Sequence, residues 1–232
     1  MKPLDEKKNI GSLFDRIAGS YDRLNHLLSL SIDRLWRRRA VNGMQPAQHV
    51  LDVAVGTADL AVELVRRHKA ERVTGLDLSV EMMKIGADKV RHAGLDGRVC
   101  FMHGNALSMP FDDGAFDAVT SAFGVRNFSD LEQGLSEMYR VLRQGGELMV
   151  LELSYPSCRV VRCVYDVYFS HVLPVIGRAL SRDRSAYIYL NRSVKHFIWG
   201  ETFCNYLRQA GFVGVTYTPL SLGICTVYRA RK

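Results

Sequence analysis

Three places along the chain carry side chains suited to holding a small molecule, and each lies where a short apolar run ends. The first run closes in "LDVAVGTADLA" (51–61), which holds Asp52 and Thr57 in a turn of small residues. Such a turn lets backbone approach a ligand closely. The second run ends in Asp77, twenty residues beyond Thr57. An acid at that place can accept hydrogen bonds from both hydroxyls of a ribose. The third run is followed by Asn105-Ala106 in "FMHGNALSMPF". An amide beside a small residue can bind an adenine edge and let the ring lie flat. Each feature alone also reads as an ordinary turn. Together, on consecutive strand ends, they describe an adenosyl site. The glycine pattern narrows the ligand. Ala54-Val55-Gly56-Thr57-Ala58 keeps one glycine where a dinucleotide fingerprint has three. Val55 and Ala58 hinder a pyrophosphate, whereas a sulfonium amino acid is less demanding.

These residues need a parallel sheet to bring them to one edge. From residue 49, apolar runs of four to eight residues alternate with amphipathic stretches. "HVLDVA" precedes "DLAVELVRRH", "RVTGLDL" precedes "VEMMKIGADKVRHAG", and "FDAVTSAFG" precedes "DLEQGLSEMYRVLR". That alternation predicts βα units and an α/β fold. "DDGAF" reads as a turn before strand four, and Phe116–Phe123 as the strand itself. Ser129 to Glu132 reads as a capping box. Gly145-Gly146 reads as the end of a helix, freeing the chain to enter strand five. Residues 1–45 read as helical and basic. Residues 46–153 form the expected cofactor-binding core, and 154–200 a tyrosine-rich helical insertion on the acceptor side. A helix near 201–211 and strands near 212–218 and 223–230 complete one domain.

The totals fit such a domain. The chain has 232 residues, 47% of them apolar and 24% charged. Its net charge of +7 is compatible with nucleic acid, an anionic membrane surface, or plain solubility. The five cysteines, at 100, 158, 163, 204 and 225, form no C-x-x-C pair and give no metal-ligand spacing. The polar start "MKPLDEKKNI" is unlike a signal peptide, and Arg162, Asp166 and His171 interrupt the most apolar late stretch. A cytoplasmic protein is expected.

Five segments carry a family resemblance. They are "FDRIAGSYDRLNHLLSLSIDRLWRR", "LDVAVGTADLA", "GLDLSVEMM", "GNALSMPFDDGAFDAVTSAFGVRNFSD" and "MYRVLRQGGELMVLELSYP". The chain resembles, over nearly its whole length, the C-methyltransferases of ubiquinone and menaquinone biosynthesis, within the class I S-adenosylmethionine-dependent methyltransferases. The most specific pieces are "FDRIAGSYDRLN" and "AFGVRNFSD". The resemblance implies a Rossmann-like, mostly parallel seven-stranded sheet with helices on both faces. It implies S-adenosyl-L-methionine as cofactor, held by Thr57, Asp77, Asn105 and Ala106. Ala122 stands where some members carry a serine. Three stretches depart from the family: Ala58 replaces the last glycine of the cofactor loop, and "RSVKHFIW" and "SLGICTVY" replace the family's later motifs.

The implied reaction methylates a ring carbon of a polyprenylated quinol. Demethylmenaquinol is the expected acceptor, with a benzoquinol of the ubiquinone pathway as the alternative. Charge then develops on a phenolate oxygen, where a positioned cation is direct electrostatic catalysis. Arg126, just past strand four, is the expected catalytic residue. Its pKa above about 12 suits it to stabilising the phenolate or orienting a water, not to acting as base. Tyr21, Asp22 and Asn25 are expected to close over the acceptor. Arg34, Arg37, Arg38 and Arg39 around Trp36 suggest either a solvated helix face or a peripheral membrane contact. Nucleic acid is not an expected partner. The place of an N/D-P-P-Y-like motif reads "SAFG", and no Pro-Cys pair occurs. A nicotinamide reductase fits the loop poorly, and a binding protein without catalysis would share the same cofactor residues.

Overall fold

The computed structural model describes residues 10–156, 158–168 and 185–232. Helices α1 (Ile10–Leu28) and α2 (Ile32–Asn42) precede an alternating core of β1 (Ala47–Val53), α3 (Asp59–Arg66), β2 (Ala70–Asp77), α4 (Val80–His92) and β3 (Val99–His103). Strand β4 (Phe116–Ala122) follows, then a short 3-10 turn (Val125–Asn127), α5 (Leu131–Val141) and β5 (Leu142–Leu153). Within the expected insertion lie α6 (Arg159–Val167) and α7 (Ser185–His196), while much of its tyrosine-rich sequence falls outside the described residues. The chain ends with α8 (Glu201–Gln209), β6 (Val213–Leu220) and β7 (Cys225–Arg231).

The seven strands form one sheet in the order β3-β2-β1-β4-β5-β7-β6. β1 to β5 run parallel, and β7 joins antiparallel to both β5 and β6. Parallel strands covered on both faces must be apolar throughout. Accordingly Val50, Leu51, Val53, Val119 and Leu148 to Leu151 have no exposed surface. One face packs against Trp36, Val41, Leu60, Leu64 and Met83 of α2, α3 and α4. The other packs against Leu135, Met138, Phe203 and Leu207 of α5 and α8. The strand order reverses at β1, which has β2 on one side and β4 on the other. A crevice must open there at the carboxyl ends of the strands.

Three local readings change. Asp130, not Ser129, caps α5: its carboxylate accepts from the Gln133 amide at 3.0 Å. An acid is an equally good cap and lies one residue nearer the helix. Gly145-Gly146 lies inside β5, which starts directly after α5 at Leu142. Gly145 there takes φ +73° where the register with β4 shifts, a bulge that only glycine enters freely. Strand β4 ends at Ala122, because Phe123 turns left-handed at φ +61°. An aromatic residue held there costs roughly 1–2 kcal/mol and marks a site rather than a strand.

Candidate active site

A cavity of about 450 Å³ opens at the reversal point. Gly56, Asp77, Asn105, Ala106, Ala122 and Gly124 form its floor from four successive strand ends. Ile10, Phe14 and Tyr21 of α1 roof it. Asp77 is fixed by two backbone amides, Gly56 to Oδ2 at 2.7 Å and Ser79 to Oδ1 at 2.8 Å. Each oxygen keeps a lone pair for a further donor. Burial pushes the carboxyl of Asp77 up, and these amides oppose the shift. The Asn105 side-chain oxygen accepts from the Leu107 amide at 3.0 Å, and Asn105 lines the cavity. The cradle depends on missing side chains. A Cβ on Gly124 would lie 2.5 Å from that of Ala54, and Gly56 takes φ +54°. These features fit an adenosine: an acid for two hydroxyls, an amide for a base edge, bare backbone between.

Thr57 is placed differently from the other three expected cofactor residues. Its side chain does not line this cavity. It donates to Asp22 of α1 at 2.5 Å and accepts from Lys89 at 3.2 Å. It borders a small adjoining recess of about 30 Å³ with Tyr21, Arg37, Asp52 and Asp59.

A second cavity, about 460 Å³ and mostly apolar, lies on the other side of Phe123. Ile32, Trp36, Leu153, Tyr165 and Ile224 contribute to its wall, together with Arg126. Tyr21 and Phe123 border both large cavities, so the two meet at these rings. Arg126 is buried, with 5% of its side chain exposed. Its Nη1 donates to Glu152 at 2.6 Å and to the Phe123 carbonyl at 2.5 Å. The other Glu152 oxygen accepts from the Arg126 backbone amide at 3.2 Å. Among the described residues, Nε of Arg126 has no partner. Burial opposes the charge on Arg126, and Glu152 more than offsets it, so its pKa is raised. Tyr21 is also raised, chiefly by burial, with Arg126 the largest opposing influence.

The N-terminal helices close the site through charges. Asp15 accepts from Ser79 at 2.5 Å, and Asp22 pairs with Lys89 at 2.7 Å. Tyr21 and Asn25 border the second cavity as expected, but Asp22 faces Thr57 and Lys89 instead. The basic cluster divides in two. Trp36 is buried, and its ring nitrogen donates to Ser221 at 2.8 Å. Arg37 is buried too, bonded to Asp33, 3.5 Å from Asp59 and stacked over Phe123 at 5.2 Å. Arg38 lies 3.6 Å from Glu63. Trp36 and Arg37 pack inward, Arg37 because Asp33 and Asp59 supply countercharges that the helix pattern alone does not reveal, whereas Arg34, Arg38 and Arg39 are exposed, as on a solvated helix face.

A model of the ubiE/COQ5 methyltransferase family matches residues 1–232. The chain belongs to that family. A demethylmenaquinone methyltransferase of Porphyromonas gingivalis is 48% identical over 98% of this chain and 94% of its own length. A ubiquinone/menaquinone biosynthesis C-methyltransferase of a Geobacter species is 44% identical over the full length of both. A solved SAM-dependent methyltransferase from Thermotoga maritima superposes with a TM-score of 0.67 at 22% identity, covering 96% of this chain and 99% of that one. That likeness concerns the fold, which is the class I methyltransferase arrangement. Within the family the Ala58 departure is absorbed locally. Ala58 takes φ +64° before α3 and is fully buried, so the missing glycine costs roughly 1 kcal/mol of strain without filling the cavity.

Proposed function

We propose that this protein transfers the methyl group of S-adenosylmethionine to a ring carbon of demethylmenaquinol, giving menaquinol. The observation that carries the reading is the meeting of two unlike cavities at Tyr21 and Phe123. One bears Asp77, Asn105 and Ala106 for the cofactor's adenosine; the other is apolar, as a naphthoquinol ring and its prenyl tail require. Relatives at 44–48% identity that are named demethylmenaquinone methyltransferases support the choice of acceptor. The cofactor supplies an electrophilic methyl group when bound. The chain's own work is to exclude water, align the acceptor and stabilise phenolate charge. Arg126 takes the last role through its unpartnered Nε, in a cavity where a charge-assisted hydrogen bond is strong. Thr57 acts by seating α1 through Asp22.

Residues 1–232 act as one methyltransferase unit, with 154–200 on the acceptor side. Among the described residues no helix is long and apolar enough to cross a membrane. A bilayer-borne substrate instead needs an apolar entrance. Leu30, Val160 and Leu222 border the second cavity and are 70%, 73% and 76% exposed. Leu30 and Leu222 are held left-handed at φ +51° and +59°, and the Trp36–Ser221 bond ties α2, which follows the first turn, to the second. This entrance, rather than Trp36, is the membrane contact. Flotation with anionic liposomes should fail for Leu30→Asp/Leu222→Asp, and unchanged flotation would refute the assignment.

The decisive experiment is mass spectrometry after incubation with methyl-labelled S-adenosylmethionine and either demethylmenaquinol or the demethylated benzoquinol. Label in the naphthoquinol supports the reading. Label in the benzoquinol alone would move the enzyme to the ubiquinone pathway, which the Geobacter relative's name keeps as the second reading.

A further inference from the structure

We infer that one face of α5, formed by Gln133, Glu137 and Arg140, is a positioning element for the base of the cofactor. It holds the loop between β3 and β4 so that Asn105 and Ala106 accept adenine and refuse a base whose edge carries different donors and acceptors. The inference rests on the proposed cofactor and on Asn105 as the reader of its base. Helices α3, α4 and α5 fill the other connections among β1 to β5, but residues 104–115 join β3 to β4 without one. A parallel connection is ordinarily helical, and a loop of about 12 residues with no helix of its own is usually functional. Its backbone groups lack the internal pairing of a helix, so partners must come from elsewhere. Within itself the loop pairs Ser108 to Asn105 and Phe111 to Met109, and α5 supplies further partners.

Residues 133, 137 and 140 stand four and three apart, on one side of the helix. The Gln133 side chain donates to the Leu107 carbonyl at 3.1 Å. Glu137 accepts from the Met109 amide at 2.7 Å. Arg140 donates to the carbonyls of Met109 at 3.0 Å and Phe111 at 2.7 Å. Residues 107, 109 and 111 are thus held at alternate positions, as a neighbouring strand would hold them. The last step reaches the cavity. The Leu107 amide donates to the Asn105 side-chain oxygen at 3.0 Å, and Asn105, Ala106 and Leu107 all line the adenosyl space. The bonds differ in weight. Asp113 is 79% exposed, so its pair with Arg140 adds little. Glu137 is 12% exposed and meets Arg140 with both oxygens, at 2.7 and 2.9 Å, the strong bidentate form. Met109 is buried in the cluster that holds Leu135 and Met138, so the loop stays on the protein when the polar ladder is cut and only its register loosens.

Calorimetry with S-adenosylhomocysteine and S-inosylhomocysteine tests this, because the second replaces the donor amine of the base with an acceptor carbonyl. The wild type should prefer the adenosyl ligand by about 10- to 100-fold, the value of a base-edge hydrogen bond whose loss leaves a polar group unpaired. Asn105→Ala should reduce that preference directly. Arg140→Ala should reduce it at least about threefold, although Arg140 does not line the cavity. With S-adenosylmethionine saturating, kcat and quinol KM of Arg140→Ala should stay within about twofold of the wild type, since the acceptor side is untouched. Arg140→Lys keeps a cation beside Glu137 but lacks the fork that spans two carbonyls, so it should fold and show an intermediate preference. A ladder that served stability alone would lower Tm and weaken both ligands alike. Equal weakening of the two ligands in either Arg140 variant, or an intact preference in either, would overturn the inference. An unaltered preference in Asn105→Ala would refute Asn105 as the reader of the base and the inference with it. Failure of the wild type to bind either ligand would refute the proposed cofactor.

Discussion

Glu152→Ala should unfold this protein more readily and silence it, for two separable reasons. Glu152 is fully buried in β5 and holds Arg126 through both carboxylate oxygens. Removing one partner of a buried pair leaves the other charge stranded, at about 3–5 kcal/mol. In a domain of this size each kcal/mol moves Tm by about 2–4 °C, so the drop should be roughly 6–20 °C. Arg126→Met/Glu152→Leu removes both charges and keeps the volume filled. Such replacements are often neutral in stability, so Tm should return to within about 5 °C of the wild type. A double-mutant cycle over the wild type, Arg126→Met, Glu152→Leu and the double variant should give a coupling of at least about 2 kcal/mol. Turnover should not return. With no cation at the quinol oxygen, kcat should stay about 10²- to 10³-fold low, while S-adenosylhomocysteine binds normally. Thermal melts and label transfer on the same four proteins decide the matter. A double variant that turns over near the wild-type rate would remove Arg126 from catalysis, and strictly additive melts would show that the pair is not coupled.

Three further outcomes follow from the same geometry. Burial raises the Asp52 carboxyl to about 7, with Asp77 adding to the shift and Thr120 and Arg37 opposing it. Its folded pKa thus exceeds its unfolded one, so its contribution is fully present below pH about 4 and lost as pH rises through 7. Urea melts without ligand should show the wild type losing up to roughly 3 kcal/mol more than Asp52→Asn between pH 5 and 8, and parallel curves would contradict this. Gly124→Ala should cost about 1–3 kcal/mol, because its Cβ would meet that of Ala54 at 2.5 Å; a melt within error of the wild type would show that the loop carrying Arg126 yields. Asp77→Asn should weaken S-adenosylhomocysteine about 10- to 100-fold by calorimetry, since two charge-assisted hydrogen bonds to ribose become neutral ones; unchanged affinity would displace Asp77 from the ribose.

The parallel sheet was legible because strands buried on both faces leave continuous apolar runs, as in "HVLDVA" and "ELMVLEL". The gathering of Asp77, Asn105 and Ala106 at one cavity was legible because these residues sit at strand ends, where position follows from chain order. What escaped depends on contacts distant in sequence. Arg37 reads as one of several surface arginines until Asp59, twenty-two residues later, is folded against it. Phe123 reads as the last residue of a strand, since nothing in its type announces a left-handed backbone. Thr57 reads as a cofactor ligand by resemblance, yet its hydroxyl is engaged by α1. Glu152 did leave a signal. An acid inside the apolar run Leu148–Leu153 must have a buried countercharge, and Arg126 lies in the turn that follows the neighbouring strand.

The division of labour within the molecule explains why the adenosyl half is so readable and the acceptor half is not. The sheet contributes the acids Asp52, Asp77 and Glu152, each at or near a carboxyl strand end. Burial pushes the carboxyls of Asp52 and Asp77 up. The cations that offset them come from outside the sheet: Arg37 from α2 and Arg126 from the turn after β4. Both guanidiniums border the acceptor cavity and both retain an unpartnered Nε. The sheet therefore supplies the acids, while α2 and the turn after β4 supply the cations that border the second cavity. A change of acceptor would then require altering α1, α2 and the Val125–Asn127 turn while the acids of the sheet stay in place.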